Sequence, residues 1–291
     1  MKPAPFEYMV ADSLQAALDA LAAGGGEAKI LAGGQSLMPI LNFRLARPHT
    51  LIDINRVPGL AFIRIDADAV RIGALTRHFA LETSTVLAEH LPVMPAAMSH
   101  VAHLAIRNRG TIGGSLSHAD PAAELPMLAL LLDATLTVRS ARASRLVSAH
   151  AFFQSALTTC LAPDEMVTEI AFPRMQAGSG WAFEEVARRE GDFALAAAAV
   201  TLTRAGDRIG TARLALMGVG ETPVRATQAE ALLADRVLDA ALIEEAALLV
   251  SRGLEPNSDL HASADYRRHL AAGLVRRVLR AAWARTSGVS A

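Results

Sequence analysis

The chain has 291 residues, with 28 Lys and Arg against 29 Asp and Glu, and its formal net charge is −1. This length allows two or three packed units with sizeable cores. The near-neutral charge gives no electrostatic drive toward nucleic acid or anionic lipid. Hydrophobic residues make up 52%, yet no run of about 18 consecutive apolar residues indicates a membrane span. The composition therefore argues against a nucleic-acid-binding protein and against a membrane span.

The cysteine content and the N-terminal residues of the chain indicate in which cellular compartment the protein works. Cys160 is the single cysteine, which rules out an internal disulfide and any iron–sulfur cluster held by this chain alone. The segment 1–6 lacks the apolar core of a signal peptide. We expect a cytoplasmic protein.

The first part of the chain predicts a small α/β lobe. Asp12 or Ser13 is expected to cap a helix that ends at the glycine run 24–26. Three elements are expected to follow: a strand over 29–32, a helix over 39–45 and a strand over 50–54.

The middle of the chain predicts a hairpin and then helices. The hairpin strands are expected at 62–65 and 70–72, and helices within 76–103. Asp120 is predicted as the N-cap of a further helix with Pro121 in its first position. A strand over 134–139 is expected after it.

The C-terminal part begins after a flexible, polar connection at 173–180. Beyond it, three strands of an antiparallel sheet are predicted at 183–187, 194–203 and 209–218. Three helices are expected to follow. The last, after Ser263, is predicted to carry Tyr266 on its apolar stripe and Arg267 mostly elsewhere.

Two glycine-rich segments carry the chemistry, at 32–36 (AGGQS) and 111–115 (TIGGS). Glycine lets backbone N–H groups approach an anion closely, and the Ser and Thr hydroxyls add donors. One such segment alone is as consistent with a tight turn as with a ligand site. Two of them, with Arg107 and Arg109 just before the second, indicate a cradle for a diphosphate.

Asp120 and Glu124 follow the second segment and have two interpretations. Both fit a helix N-terminus, as cap and first-turn acid. Both can also accept hydrogen bonds from sugar hydroxyls, and a spacing of four would place them on one helical face. We interpret His100, His103 and His118 as histidines without a metal, since no partner stands at metal-ligand spacing.

Four long motifs together resemble the FAD-binding medium subunit of molybdenum hydroxylases, of the carbon monoxide dehydrogenase and xanthine dehydrogenase type. They lie at 29–39, 105–126, 188–194 and 261–270 and so span nearly the whole chain. The resemblance implies an α+β fold: a two-lobed FAD-binding domain of PCMH/VAO type, then a smaller C-terminal α/β domain with a three-stranded antiparallel sheet and a helical bundle. The implied domains are 1–175, with lobes of about 1–58 and 59–175, and 181–291.

The resemblance also implies which residues bind FAD. Segments 29–37 and 111–115 would hold the diphosphate, Asp120 and Glu124 would lie near the ribityl and diphosphate portion, and Ile170 near the isoalloxazine. Glu184 stands where some relatives carry a lysine near the flavin ring. The resemblance therefore does not identify which group balances the negative charge of the reduced flavin. The implied cofactor-binding set is Lys29, Ile30, Leu31, Ala32, Gly33, Gly34, Gln35, Ser36, Leu37, Ile106, Thr111, Ile112, Gly113, Gly114, Ser115, His118, Asp120, Glu124 and Ile170.

In function, the resemblance implies an electron-transfer subunit. Its partners would be a [2Fe–2S] small subunit and a molybdopterin large subunit, and its electrons would pass to a small-molecule or protein acceptor. No catalytic acid or base and no metal ligand is expected in this chain. Two alternatives stay open: a standalone FAD-dependent reductase or oxidase, and a non-redox module whose glycine segments hold another nucleotide or nothing.

Overall fold

The computed structural model describes residues 2–286, which form two compact units interleaved along the chain. Unit 1 contains the described residues up to Leu81, together with 103–119 and 134–172. Unit 2 contains 82–102, 120–133 and the described residues from Pro173 onward. The domain limits predicted above follow the sequence without interleaving, and they stay a prediction.

The strands within residues 2–286 fall into four sheets. They are β1 (Glu7–Val10), β2 (Ala28–Leu31), β3 (Thr50–Asp53), β4 (Ile63–Ile65), β5 (Ala69–Gly73), β6 (Thr135–Arg139), β7 (Ser144–Ser148), β8 (Phe153–Ser155), β9 (Thr158–Thr159), β10 (Met166–Pro173), β11 (Gly180–Ala187), β12 (Ala194–Ala205), β13 (Arg208–Met217) and β14 (Val224–Arg225).

The helices are short in unit 1 and longer near the C-terminus. They are α1 (Leu14–Ala23), α2 (Leu37–Asn42), α3 (His78–Thr83), α4 (Thr85–His90), α5 (Val93–Met98), α6 (Leu104–Arg107), α7 (Ile112–His118), α8 (Glu124–Leu131), α9 (Ala149–Phe152), α10 (Thr227–Leu233), α11 (Ala240–Arg252) and α12 (Ala264–Arg285).

Unit 1 opens with a parallel three-stranded sheet in the order β1-β3-β2. Ser13 caps α1, because its hydroxyl accepts a hydrogen bond from the Ala16 amide at 3.2 Å. The helix buries Leu18 and Leu21 in a core shared with Ile52 of β3. The predicted α/β lobe is confirmed, although α2 begins two residues before Pro39.

A second sheet of unit 1 has the order β4-β5-β10-β6-β7. The predicted hairpin is its β4-β5 pair, in which Ile63 lies opposite Ile72. The predicted strand at 134–139 is β6, which pairs antiparallel with β10. Ile170 of β10 lies opposite Leu136, and both are fully buried.

Two local predictions were wrong near the second glycine segment. Residues 112–115 form the first turn of α7 rather than a loop, because Thr111 is extended and its hydroxyl caps the helix. Asp120 does not cap α8, since its Oδ1 accepts the Ala122 amide at 2.9 Å within a turn. The helix begins at Glu124, so Asp120 and Glu124 do not share a helical face.

Unit 2 is built on the antiparallel sheet β11-β12-β13-β14. The three predicted strands and the three following helices are confirmed, and the short β14 adds a fourth strand beside β13. Residues of β12 and β13 share one buried core with α10, α11 and α12.

The last helix corrects one detail of the sequence prediction. Ser263 caps α12 as expected, yet Tyr266 is exposed and Arg267 is buried. The Arg267 guanidinium donates to the carbonyl oxygens of Leu195 and Gly218 and to the Asp259 carboxylate. These acceptors compensate the two terminal nitrogens of a charge that the apolar periodicity had placed on the surface, while Nε is buried without a hydrogen-bond partner.

Candidate functional site

The first glycine segment is the turn that joins β2 to α2. Its backbone requires glycine at Gly34, whose φ of +73° lies in the left-handed region. The side-chain amide of Gln35 donates to the Gly33 carbonyl at 2.8 Å and closes the turn.

The second glycine segment runs against residues 74–78. The amides of Ile112 and Gly113 donate to the carbonyls of Thr76 and Ala74, at 3.1 and 2.9 Å. The His78 amide donates to the Gly110 carbonyl at 3.0 Å. These bonds fix the position of the segment within unit 1.

The two glycine segments meet. A Cβ atom at Gly33 would overlap the carbonyl oxygen of Arg109 and lie 2.9 Å from the Cα atom of Gly110. A Cβ atom at Gly114 would lie 3.9 Å from that of Ala32. We call residues 32–36 and 111–115 together the glycine cradle. Its two halves are adjacent, as the diphosphate hypothesis requires.

A cavity of about 600 Å³ opens beside the first half of the cradle. This volume is within the range of small-molecule and cofactor sites. Six predicted cofactor residues line it: Leu31, Ala32, Gly33, Gly34, Gln35 and Ile106.

The sequence prediction missed a polar group in this cavity formed by Tyr8, Asp53 and Asn55. The Tyr8 hydroxyl and the Asn55 side-chain amide both donate to Asp53. Burial alone would raise the pKa of Asp53, but these hydrogen bonds hold it below its usual value. The sequence did contain a clue to this group. Asp53 ends β3, which runs parallel to β2, so Asp53 reaches the same edge of the sheet as Ala32.

The other predicted residues are distributed over both units. Lys29 is exposed on β2, Ile170 is fully buried in the second sheet, and the half-buried His118 ends α7. Asp120 and Glu124 belong to unit 2.

Glu124 forms part of a titratable group within unit 2. Burial raises the pKa of Glu124 to about 8, and the nearby carboxylates of Glu185 and Asp120 reinforce the shift. Glu185 is itself almost inaccessible, and its Oε1 lies 3.3 Å from Nδ1 of His100. This contact raises the pKa of His100, whose ring packs 5.1 Å from that of Phe183.

Glu184 has a cationic partner in unit 2. Its Oε2 lies 2.7 Å from Nε of Arg277. The pair is half-exposed, so it contributes little to the free energy of folding. Arg277 nevertheless compensates the negative charge of Glu184.

Two family models match the chain. The model described as the FAD binding domain in molybdopterin dehydrogenase matches residues 4–175, and the model of the CO dehydrogenase flavoprotein C-terminal domain matches residues 181–282. The chain belongs to the FAD-binding family of molybdopterin dehydrogenases. FAD is its cofactor, and the chain is the FAD-binding medium subunit of a heteromeric oxidoreductase.

Relatives from this family align with nearly the whole chain. The chain is 47% identical over 281 residues to the 6-hydroxypseudooxynicotine dehydrogenase complex subunit alpha of Paenarthrobacter nicotinovorans, covering 96% of this chain and 95% of that one. It matches the solved carbon monoxide dehydrogenase of Hydrogenophaga pseudoflava with a TM-score of 0.97 and 38% identity, over 99% and 100% of the two chains.

A second solved structure, quinoline 2-oxidoreductase from Pseudomonas putida 86, matches with a TM-score of 0.94 and 41% identity, over 99% of this chain and 100% of that one. The predicted α+β fold of this family, with an FAD-binding domain and a smaller C-terminal domain, is confirmed.

The described part of the chain contains neither a cluster of metal-binding side chains nor a membrane-spanning helix. Between residues 2 and 286, no cluster of three or more His, Cys, Asp or Glu side chains is arranged to hold a metal ion. None of the helices in that range combines the length and the apolar character needed to cross a membrane.

The first half of the cradle fits the FAD expected in this family, whereas the backbone amides of residues 112–115 in the second half donate within the chain. Backbone of Arg109 and Gly110, directly before the second half, occupies the space that a side chain at Gly33 would need, so only glycine allows this close approach. A cavity with a carboxylate at Asp53 and amides at Gly33 and Gly34 borders this contact. Main-chain N–H groups in such a turn favour an anion such as a diphosphate.

Proposed function

We propose that this chain carries electrons from a [2Fe–2S] small subunit to an external acceptor, within a complex that also contains a molybdopterin large subunit. The relatives named above support the proposal, because they are subunits of dehydrogenase complexes or belong to such oxidoreductases. The chain has one cysteine, so a cysteine-ligated cluster must come from a partner.

The juxtaposition of the two halves of the glycine cradle carries the proposal. Residues 29–37 and 111–115 would hold the FAD diphosphate, with Ile106 and His118 in the same unit and Ile170 nearer the flavin ring. Asp120 and Glu124 would accept or donate hydrogen bonds along the ribityl chain. The domain limits 1–175 and 181–291 form part of the same proposal.

The chain contributes binding and orientation rather than bond cleavage. When bound, FAD supplies the ability to accept electrons singly and to release them singly or in pairs. The cradle fixes the diphosphate, and Asp53, as a carboxylate, offers an acceptor for hydroxyl groups at the cavity wall. No acid or base in the chain is assigned to a bond-breaking step.

Co-production of the chain with its two candidate partner subunits tests the proposal. We expect a three-subunit complex with flavin absorbance that reduces an artificial electron acceptor. Candidate substrates are the compounds named in its relatives: 6-hydroxypseudooxynicotine, quinoline and carbon monoxide. Withholding this chain should abolish reduction of the acceptor that receives electrons at the flavin, while clusters in the remaining subunits still become reduced.

A different result would favour the standalone reductase or oxidase. That protein would turn over a small substrate without partners, whereas the proposed subunit alone should show weak activity at most. A purified chain without flavin absorbance, alone and in complex, would contradict both. We also propose a cytoplasmic location, which subcellular fractionation tests directly.

A further inference from the structure

Arg77 contacts the second half of the glycine cradle and its approach directly, and the first half through Asn55. One guanidinium nitrogen donates to the carbonyl oxygen of Arg109, and the backbone of Arg77 forms an antiparallel bridge with Thr111. The other nitrogen donates to Oδ1 of Asn55 at 2.7 Å, and Nδ2 of Asn55 donates to the Ala32 carbonyl at 2.9 Å. A continuous path of hydrogen bonds therefore joins the two halves within unit 1.

These contacts determine the orientation of two peptide groups. In a planar trans peptide the C=O and the following N–H point in opposite directions. The Ala32 carbonyl shares its peptide with the Gly33 N–H, the amide that borders the cavity. The Arg109 carbonyl shares its peptide with the Gly110 N–H, which donates to the Ile106 carbonyl at 2.7 Å. Holding both carbonyls fixes both peptide planes.

The orientation matters for an anionic ligand. Amide N–H groups attract a diphosphate, whereas carbonyl oxygens repel it. The Arg109 carbonyl, two residues before the second half of the cradle, is the group that lies against Gly33 of the first half. The Arg77 guanidinium donates a hydrogen bond to this carbonyl oxygen. The bond offsets the repulsion between the carbonyl and an anionic ligand, and it keeps the carbonyl directed toward the guanidinium.

We propose that Arg77, acting through Asn55, is the positioning residue that sets the spacing and peptide orientation of the FAD-binding cradle. This inference rests on the proposed function, since it assigns the cradle to the FAD diphosphate. Arg77 reaches its two acceptors with different guanidinium nitrogens, a fork that the single ammonium group of lysine does not reproduce.

Three variants of the full chain test the inference, each in the complex with its partner subunits, with flavin removed and FAD added back. Arg77→Met removes both arms of the path and Arg77→Lys keeps only the charge. Asn55→Asp keeps an acceptor for Arg77 but removes the side-chain amide that donates to Ala32 and to Asp53. Arg145→Met is the matched control, because Arg145 lies in unit 1 and donates to the Glu165 carboxylate and the Cys160 carbonyl, neither of which belongs to the cradle.

We expect the dissociation constant for FAD to rise by about tenfold to a hundredfold in Arg77→Met and Arg77→Lys, as for loss of charged hydrogen bonds. Asn55→Asp should weaken binding by about tenfold, and the double variant Arg77→Met/Asn55→Asp should be no weaker than Arg77→Met alone, because both residues act on one path. Arg145→Met should keep the wild-type value.

Apo-protein melting temperatures separate positioning from general stability. FAD affinity should fall in the Arg77 and Asn55 variants even where the apo-protein melts no lower than Arg145→Met. Wild-type affinity in Arg77→Lys, or a loss of affinity that only follows lower melting temperatures, would overturn the inference. If Arg77→Met does not fold, Arg77→Lys and Asn55→Asp decide the question. Absence of FAD from the wild-type complex would instead refute the proposed function.

Discussion

Gly33 in the first half of the glycine cradle is in contact with the backbone of Arg109, which directly precedes Gly110 and the second half. A Cβ atom at Gly33 would overlap the Arg109 carbonyl oxygen, which is itself held by Arg77. Any side chain at this position must therefore separate the two segments.

The first prediction follows from this contact. Gly33→Ala should destabilise the protein by about 1–3 kcal/mol, as overpacking does, and should remove bound FAD. Flavin absorbance of the purified complex and urea unfolding measure the two effects. Gly273→Ala is the control: this helical glycine has no atom within 4 Å of its added Cβ, so the variant should retain FAD and gain up to about 1 kcal/mol. Full flavin content in Gly33→Ala would show that the cradle does not bind the diphosphate.

The second prediction concerns the other half of the cradle. A Cβ atom at Gly114 would lie 2.8 Å from Oγ1 of Thr111, the group that caps α7. Gly114→Val should displace this hydroxyl, cost about 1 kcal/mol of cap stabilisation and abolish FAD retention while unit 2 stays folded.

Gly210→Val is a matched control for Gly114→Val, because a Cβ atom at Gly210 would lie 2.9 Å from Oγ1 of Thr203 in unit 2. It repeats the crowding of a threonine hydroxyl without touching the cradle. Equal flavin loss in both variants would mean that crowding at Gly114 acts through general instability.

The third prediction concerns the pH dependence of unit 2. Burial raises the pKa of Glu124 from 4.5 to about 8. The folded state therefore holds the proton more tightly than the unfolded state, and the stability linked to this group is complete below about pH 4.5 and is lost as the pH rises toward 8.

Glu124→Gln should remove this dependence and unfold at higher urea concentration near pH 8 than the wild type. The difference in unfolding free energy should grow with pH by at most about 1.4 kcal/mol per unit. Glu245→Gln, an exposed change in α11, should leave the wild-type profile. Parallel pH profiles of wild type and Glu124→Gln would show that Glu124 is ionised like an exposed acid.

The fourth prediction concerns acid stability of unit 1. Burial lowers the pKa of His78 from 6.5 to about 4, with a contribution from the nearby Arg107 and Arg77. The unfolded state binds the proton more readily, so the stability linked to His78 is present above about pH 6.5 and is lost as the pH falls toward 4.

His78→Gln should flatten the fall in unfolding free energy over this interval, measured by urea titration. His49→Gln, at an exposed histidine of the same unit, should not. An unchanged acid profile in His78→Gln would place the origin of the acid sensitivity in other groups.

Local sequence patterns predicted most of the secondary structure near the site. The strand before Ala32, the hairpin around 66–68 and the antiparallel strands of unit 2 depend on alternation and turn residues. The error at Asp120 arose because a cap and an Asx-type turn share the same residue preferences, and only the backbone decides between them.

The sequence by itself determined that two glycine-rich segments exist and that, through their motifs, they belong to an FAD-binding chain. Glycine spacing and hydroxyl residues act locally, so a linear reading detects them. Tertiary structure alone decided that the chain around these segments meets at Gly33 and Arg109, with Arg77, Asn55 and Asp53 beside the contact. These residues come from separate segments, and their contacts depend on the pairing of residues 74–78 with 110–113, which no local propensity encodes.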